Sequence, residues 1–279
     1  MAVPYGETLA ALAVRFTESA VENRISSEVA LRPDIAGMRI YGAPIIAVAS
    51  ANDPLFEILR APGVIGPHFL PPTAWLEGAR SVISFFLPFS GRVTEANRAD
   101  RNAPALEWLH GCTDGKAMVR ALAEYLADEL RRAGFRALVP GAAESLFREK
   151  EAKSTASPPE EQGEMRHSGN WSERHVAFVC GLGTFGLSAG LITRKGIAGS
   201  FGSVITERVL EPDARPYSGH MEYCARCGEC ARRCPAGAIS MERGKDHTLC
   251  KAQSNLGGRY GCGKCQVGVP CQTGIPDSA

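Results

Sequence analysis

The sequence has no apolar run near the roughly 18 residues that a membrane-crossing helix needs. It also has no excess charge. Lys plus Arg number 31 and Asp plus Glu 30, a net charge of +1. A balance so even gives no basic stripe for a nucleic-acid backbone or an anionic lipid surface, so neither a membrane nor tRNA is expected as a partner. No basic leader opens the chain and Glu7 precedes any cation, so no secretory signal is expected. Cysteine is nearly absent from the first 223 residues, which hold only Cys112 and Cys180. A secreted disulfide scaffold would spread its bridges through the fold, so a reducing, cytoplasmic setting is expected.

What is present is concentrated at the other end. Of ten cysteines, eight fall between Cys224 and Cys271. Cys224, Cys227, Cys230 and Cys234, followed by Pro235, reproduce the C-x2-C-x2-C-x3-C-P run of bacterial ferredoxins. In that run three thiolates hold one iron–sulfur cube and the fourth reaches the other. The second group is Cys250, Cys262, Cys265 and Cys271. The sharing rule assigns Cys224, Cys227, Cys230 and Cys271 to one 4Fe–4S cluster. Cys234, Cys250, Cys262 and Cys265 are left for the other. Cys271 departs from the usual repeat, because five residues separate it from Cys265 and Pro270 precedes it. The competing reading is structural zinc, but zinc sites pair two C-x2-C knuckles around one tetrahedral ion.

Chain length and 44% hydrophobic content fit two domains. An α+β or α/β cofactor domain is expected over 1–215 and a ferredoxin-like domain with two clusters over 216–279. Helical spacing of apolar residues appears between 7 and 30 and again over Lys116–Ala133, which Gly134 closes. Ile45–Ala49 and Ser81–Phe89 read as strands, with a short helix from Pro54 and a further strand over Phe135–Val139. Residues 91–115 read as polar and turn-rich, and 149–166 as a charged surface loop or lid. Cys112 and His110 then fall in a turn, while Cys180 reads as a small core residue.

Gly181-Leu182-Gly183-Thr184-Phe185-Gly186 matches G-x-G-x-x-G. As a dinucleotide fingerprint it needs a strand before it and a helix after it. The apolar run Val176–Val179 precedes it, but Gly196, Gly199 and Gly202 break any long helix that follows. A large flat cofactor is therefore expected here in place of a nicotinamide dinucleotide.

The whole block Gly181–Ile192, with Gly199-Ser200-Phe201-Gly202-Ser203-Val204-Ile205-Thr206, resembles the core of the epoxyqueuosine reductase family, which is related to reductive dehalogenases. The resemblance covers residues 165–271 and includes the cluster module. It implies a nitroreductase-like N-terminal domain that binds cobalamin, with flavin as the alternative. It implies low-potential electrons, delivered by a ferredoxin or flavodoxin, passing through the clusters to reduce a small substrate. Glu173-Arg174 matches the family's Glu-Arg, and this register puts His167 where the family has its catalytic Asp. His167 is thus the expected proton donor. Asn170, Ser172, Gly181, Leu182, Gly183, Thr184 and Gly186 are the expected cofactor contacts. The family's Arg-Asp-Tyr-His stretch is missing, which marks a divergent branch. An electron-transfer protein or corrinoid-reducing partner without substrate chemistry is the rival reading, and a cluster-bearing sensor is a third.

Overall fold

A computed structural model describes residues 8–148, 169–256 and 259–277. Helix α1 (Leu9–Ser19) starts where the Thr8 hydroxyl accepts the Ala11 N–H. Strand β1 (Ile45–Ser50) follows, then two short helices, α2 (Pro54–Ile58) and α3 (Pro72–Trp75), each with proline in its first turn. There proline costs no hydrogen bond, because the first N–H groups of a helix have no partner within it. Strand β2 (Ser81–Pro88) is the long central strand. Helices α4 (Gly91–Ala99), α5 (Leu106–Thr113) and α6 (Gly115–Arg132) come next. Strand β3 (Ala137–Leu138), helix α7 (Glu173–Val179) and strands β4 (Gly183–Phe185), β5 (Leu191–Thr193) and β6 (Gly199–Thr206) complete the body.

The main sheet has the order β1-β2-β6-β3, and each neighbouring pair is antiparallel. The fold is therefore mixed α and β, with no parallel βαβ unit in this sheet. Alternation along β2 explains how helices come to cover both faces. Ile83, Phe85 and Leu87 enter one core with Met118, Leu122, Leu126 and Leu130 of α6. Val82 and Phe86 enter the other, with Trp75, Trp171 and Val176. Burying each such aliphatic side chain contributes about 1.5–3 kcal/mol.

Residues 91–99 and 106–113 are helical where the sequence suggests turns, and the chain between them is irregular. Their apolar residues are sparse, and the buried face of α4 is made of Val93, Thr94 and Asn97. A face half polar gives no hydrophobic period, so the helix was invisible to a pattern search. Cys112 and His110 consequently lie within α5. The run Val176–Val179 is helix where a dinucleotide site needs a strand, and the glycines after it enter strand β4. The expected strand over Phe135–Val139 shortens to two residues.

The cysteine module carries helix α8 (Glu229–Arg232), the hairpin β7 (Ile239–Ser240) with β8 (Gly244–Lys245), and helix α9 (His247–Ser254). Strands β9 (Asn255–Leu256) and β10 (Arg259–Tyr260) pair after α9. No helix among the described residues is long and apolar enough to cross a membrane.

Candidate metal-cluster sites

One cavity is walled by Cys224, Cys227, Cys230 and Cys271, with Gly186, Ile192, Ile197 and Val269 behind them. Three of these thiols come from one turn-rich loop. That loop bends through Arg226 at φ +50° and Gly228 at φ +74°, a left-handed region that costs a residue with Cβ. The fourth arrives from near the chain end, where the Cys271 carbonyl accepts the Ile197 N–H at 3.0 Å. Burial pushes the Cys271 thiol up to about 12, and burial also raises Cys230. Thiols in such surroundings ionise when a metal supplies the compensating charge.

A second group stands beside the first. Burial raises the Cys262 thiol, and the neighbouring Cys234 and Cys250 raise it further. Burial lifts Cys265 to about 11, with Cys250 and Cys262 adding to the effect. The Ala238 N–H already points at the Cys234 sulfur at 3.3 Å. Over this group lies the Trp108 indole. A Cβ on Gly263 would sit 2.0 Å from its ring carbons, and one on Gly261 would sit 2.6 Å from the Cys112 sulfur. The indole N–H is buried and has no hydrogen-bond partner among the described residues. An unmet donor packed on the loop that carries Cys262 suits a sulfur acceptor. No three His, Cys, Asp or Glu side chains among the described residues are placed to hold a single metal ion. Thiols spread round a cavity fit a cuboidal cluster better than one tetrahedral zinc, whose ligands converge at about 2.3 Å.

Lys264 and Asn97 belong to this second site, and the sequence reading overlooked both. The Lys264 side chain is fully buried. Its ammonium donates to the Asn97 backbone carbonyl at 2.7 Å and to Asn97 Oδ1 at 3.0 Å. Asn97 Nδ2 donates to the Cys262 carbonyl at 3.1 Å. The one sequence signal was a lysine inside a C-x2-C pair.

The glycine block has packing reasons of its own. Gly181 turns the chain out of α7 at φ +95°. A Cβ on Gly183 would lie 1.9 Å from the Ile192 carbonyl oxygen, and Gly186 lines the first cavity. Thr184 is buried, and its hydroxyl accepts the Tyr223 N–H at 2.8 Å, one residue before Cys224. Leu182 is buried in the core. Asn170 clamps the chain by accepting the Arg148 N–H and donating to the Leu146 carbonyl, both at 2.9 Å. Ser172 precedes α7 without capping it, because its hydroxyl pairs with His175 Nδ1 at 2.7 Å. Among the expected cofactor contacts, only Gly186 lines the cavity. His167 and the loop 149–166 lie outside the described residues.

Four further titratable groups lie in enclosed surroundings. His110 Nδ1 meets Asp114 Oδ2 at 2.6 Å and its Nε2 accepts the Leu31 N–H at 3.2 Å. With both ring nitrogens engaged, His110 ties the chain at Leu31 to the end of α5, a structural role. Burial lifts Cys112 to about 12 and also raises Cys180, so both are poor nucleophiles. The Glu173 carboxyl is enclosed at the start of α7, with Oε2 lacking a hydrogen-bond partner among the described residues. Burial raises it to about 7, opposed by hydrogen bonds from Ser203 and Trp171.

The 4Fe-4S binding domain family matches residues 219–240. The tetrachloroethene reductive dehalogenase of Desulfitobacterium hafniense is 41% identical over 69 residues, 24% of this chain and 12% of that protein. The enzyme of the same name from Dehalobacter restrictus gives the same figures. The solved epoxyqueuosine reductase of Bacillus subtilis matches with a TM-score of 0.52 at 20% identity, over 84% of this chain and 62% of that one. An epoxyqueuosine reductase solved with a modified tRNA stem loop gives 0.53 at 20%, over 84% and 62%. A reductive dehalogenase whose structure suggested a mechanism for B12-dependent dehalogenation gives 0.53 at 16%, over 83% and 30%. The chain thus shares the fold of both enzyme groups, carries a 4Fe-4S binding domain, and spans under two thirds of each of these relatives.

Proposed function

We propose that this protein is an iron–sulfur reductase that passes low-potential electrons through two 4Fe–4S clusters to a corrinoid, with flavin as the alternative. The observation that carries the reading is the cavity walled by four cysteines drawn from both ends of the module. Cys224, Cys227, Cys230 and Cys271 hold one cluster; Cys234, Cys250, Cys262 and Cys265 hold the other. The bound corrinoid supplies the two-electron chemistry of substrate reduction.

The protein's own residues position and insulate. Gly186, Ile192, Ile197 and Val269 close the first cluster's wall against water, which strengthens electrostatic control there. Thr184 and Ile197 fix Tyr223 and Cys271 to the sheet body, so the module keeps a set distance from it. The nitroreductase-like assignment of the body, the domain division at 215/216 and His167 as the proton donor belong to this reading. They rest on the resemblance of the Gly181–Thr206 block and the Glu173-Arg174 register. The electron donor is a ferredoxin or flavodoxin and the substrate a small molecule.

The test is anaerobic purification with metal and sulfide analysis, followed by titration with cobalamin and with FMN. About eight iron atoms with matching acid-labile sulfide, and a corrinoid or flavin spectrum that follows the protein, support the reading. Clusters with neither cofactor favour the electron-carrier alternative. Stoichiometric zinc without sulfide overturns both.

A further inference from the structure

Lys264 is the least expected group in the module. Lysine is rarely buried unless it is paired, yet this side chain is wholly enclosed. Its hydrogen-bond acceptors are two oxygens of Asn97, both uncharged. An ammonium has three donors, and the described residues supply these two acceptors. No carboxylate among them comes within ion-pair distance of it. Burial works against its charge; the strongest acidic influence on it is the Cys262 sulfur, with exposed Asp100 adding to it and Arg233 opposing. A buried charge without a counter-charge is costly. Asn97 ties the same lysine to the Cys262 carbonyl, so the ammonium is held against the loop that presents a cluster thiolate.

We propose that Lys264 is the built-in counter-ion of the second cluster, positioned by Asn97 to favour its reduced state. This rests on the two-cluster reading. A 4Fe–4S core of charge 2+ with four thiolates carries a net charge of −2. Accepting one electron from a low-potential donor makes it −3, with no bond formed or broken and no proton taken up. A fixed positive charge stabilises the second state more than the first. Lys264 therefore raises the midpoint of the cluster held by Cys234, Cys250, Cys262 and Cys265, and leaves the other nearly untouched.

The experiment is an anaerobic potentiometric titration of the whole protein with titanium(III) citrate, followed by electron paramagnetic resonance. Parent, Lys264→Met and Lys264→Arg are compared. Iron and sulfide content of the parent tests the cluster reading by itself, before any variant is considered. In Lys264→Met the reduced-to-oxidised ratio of one cluster at fixed potential should fall at least tenfold, which is 59 mV for a one-electron couple. The other midpoint should stay put, and Lys264→Arg should lie near the parent. Loss of four of the eight irons in Lys264→Met, with retention in Lys264→Arg, also supports the assignment. Full iron content with both midpoints unmoved overturns it, as does equal movement of both. A Lys264→Arg protein that behaves like Lys264→Met shows that shape and not charge matters, and overturns it too.

Discussion

Glu173 offers a measurement that needs no substrate. Its carboxyl is enclosed between α7 and the sheet, with one oxygen unpartnered among the described residues, and burial raises it from 4.5 to about 7. The folded state thus holds a proton that the unfolded chain releases near pH 4.5. That contribution is complete below about pH 4.5. It declines by about 1.4 kcal/mol per pH unit until the folded group itself titrates near pH 7, and is flat above. The full span is roughly 3 kcal/mol by that slope. Between pH 5.5 and pH 8.5 the loss is roughly 2 kcal/mol, because only the part below pH 7 counts. Glu173→Gln keeps the shape of the protonated acid and removes the titration. Anaerobic thermal unfolding of parent and variant across that window should diverge as pH rises, with the variant gaining about 4–8 °C at the alkaline end. Parallel melting curves would show that the carboxyl ionises freely in the fold and would refute the reasoning.

Three further outcomes follow from particular contacts. Cys227→Ser should lower iron from about eight to about four per chain, because Cys227 serves the first cavity alone; metal analysis checks it. Gly196→Ala should destabilise the seam between module and body. Its backbone lies at φ +87°, and a Cβ would come 2.0 Å from the Gln272 carbonyl oxygen; the melting temperature should drop by several degrees, as a strain of 1–3 kcal/mol implies. His167→Asn should slow turnover roughly 10²-fold with cluster content unchanged, and His167→Asp should recover part of it; steady-state rates at constant iron content decide.

Much of the sheet was legible, because Ser81–Phe89 and Ile45–Ala49 are apolar runs bounded by proline or turn residues, and Lys116–Ala133 has a strong helical face. What was missed has a common cause. Helix α4 buries Thr94 and Asn97 alongside Val93, so polarity there marks a contact with the cluster module and not an exposed loop. The same Asn97 holds Lys264, and a buried lysine cannot be told from a surface one by type. The glycine block misled in the opposite direction. Its G-x-G-x-x-G spacing is real, but Gly183 is small because the Ile192 backbone of the paired strand β5 lies against it, not to admit a phosphate.

That close pairing explains why one short block so strongly marks this fold. Gly181 reverses the chain after α7, Gly183 lets β5 approach β4, and Gly186 opens onto the first cluster's cavity. Thr184, between them, grips the backbone just before Cys224, and Phe185 N–H reaches the His220 carbonyl at 2.6 Å. From the other side, Gly196 accepts the close approach of Gln272, and Ile197 bonds the Cys271 carbonyl. The β4–β5 hairpin and the turn that follows it thus hold the chain next to Cys224 and at Cys271, the first and last cysteines of the first set. A small metal module has little core of its own, so its orientation to the sheet is set by this hairpin. A bulky residue at position 183 therefore disturbs two thiolates without touching either, and Gly183→Val should lose iron from the first set while Cys250, Cys262 and Cys265 keep theirs. Retention of all eight irons with an unchanged melting temperature in Gly183→Val would remove the hairpin from this role.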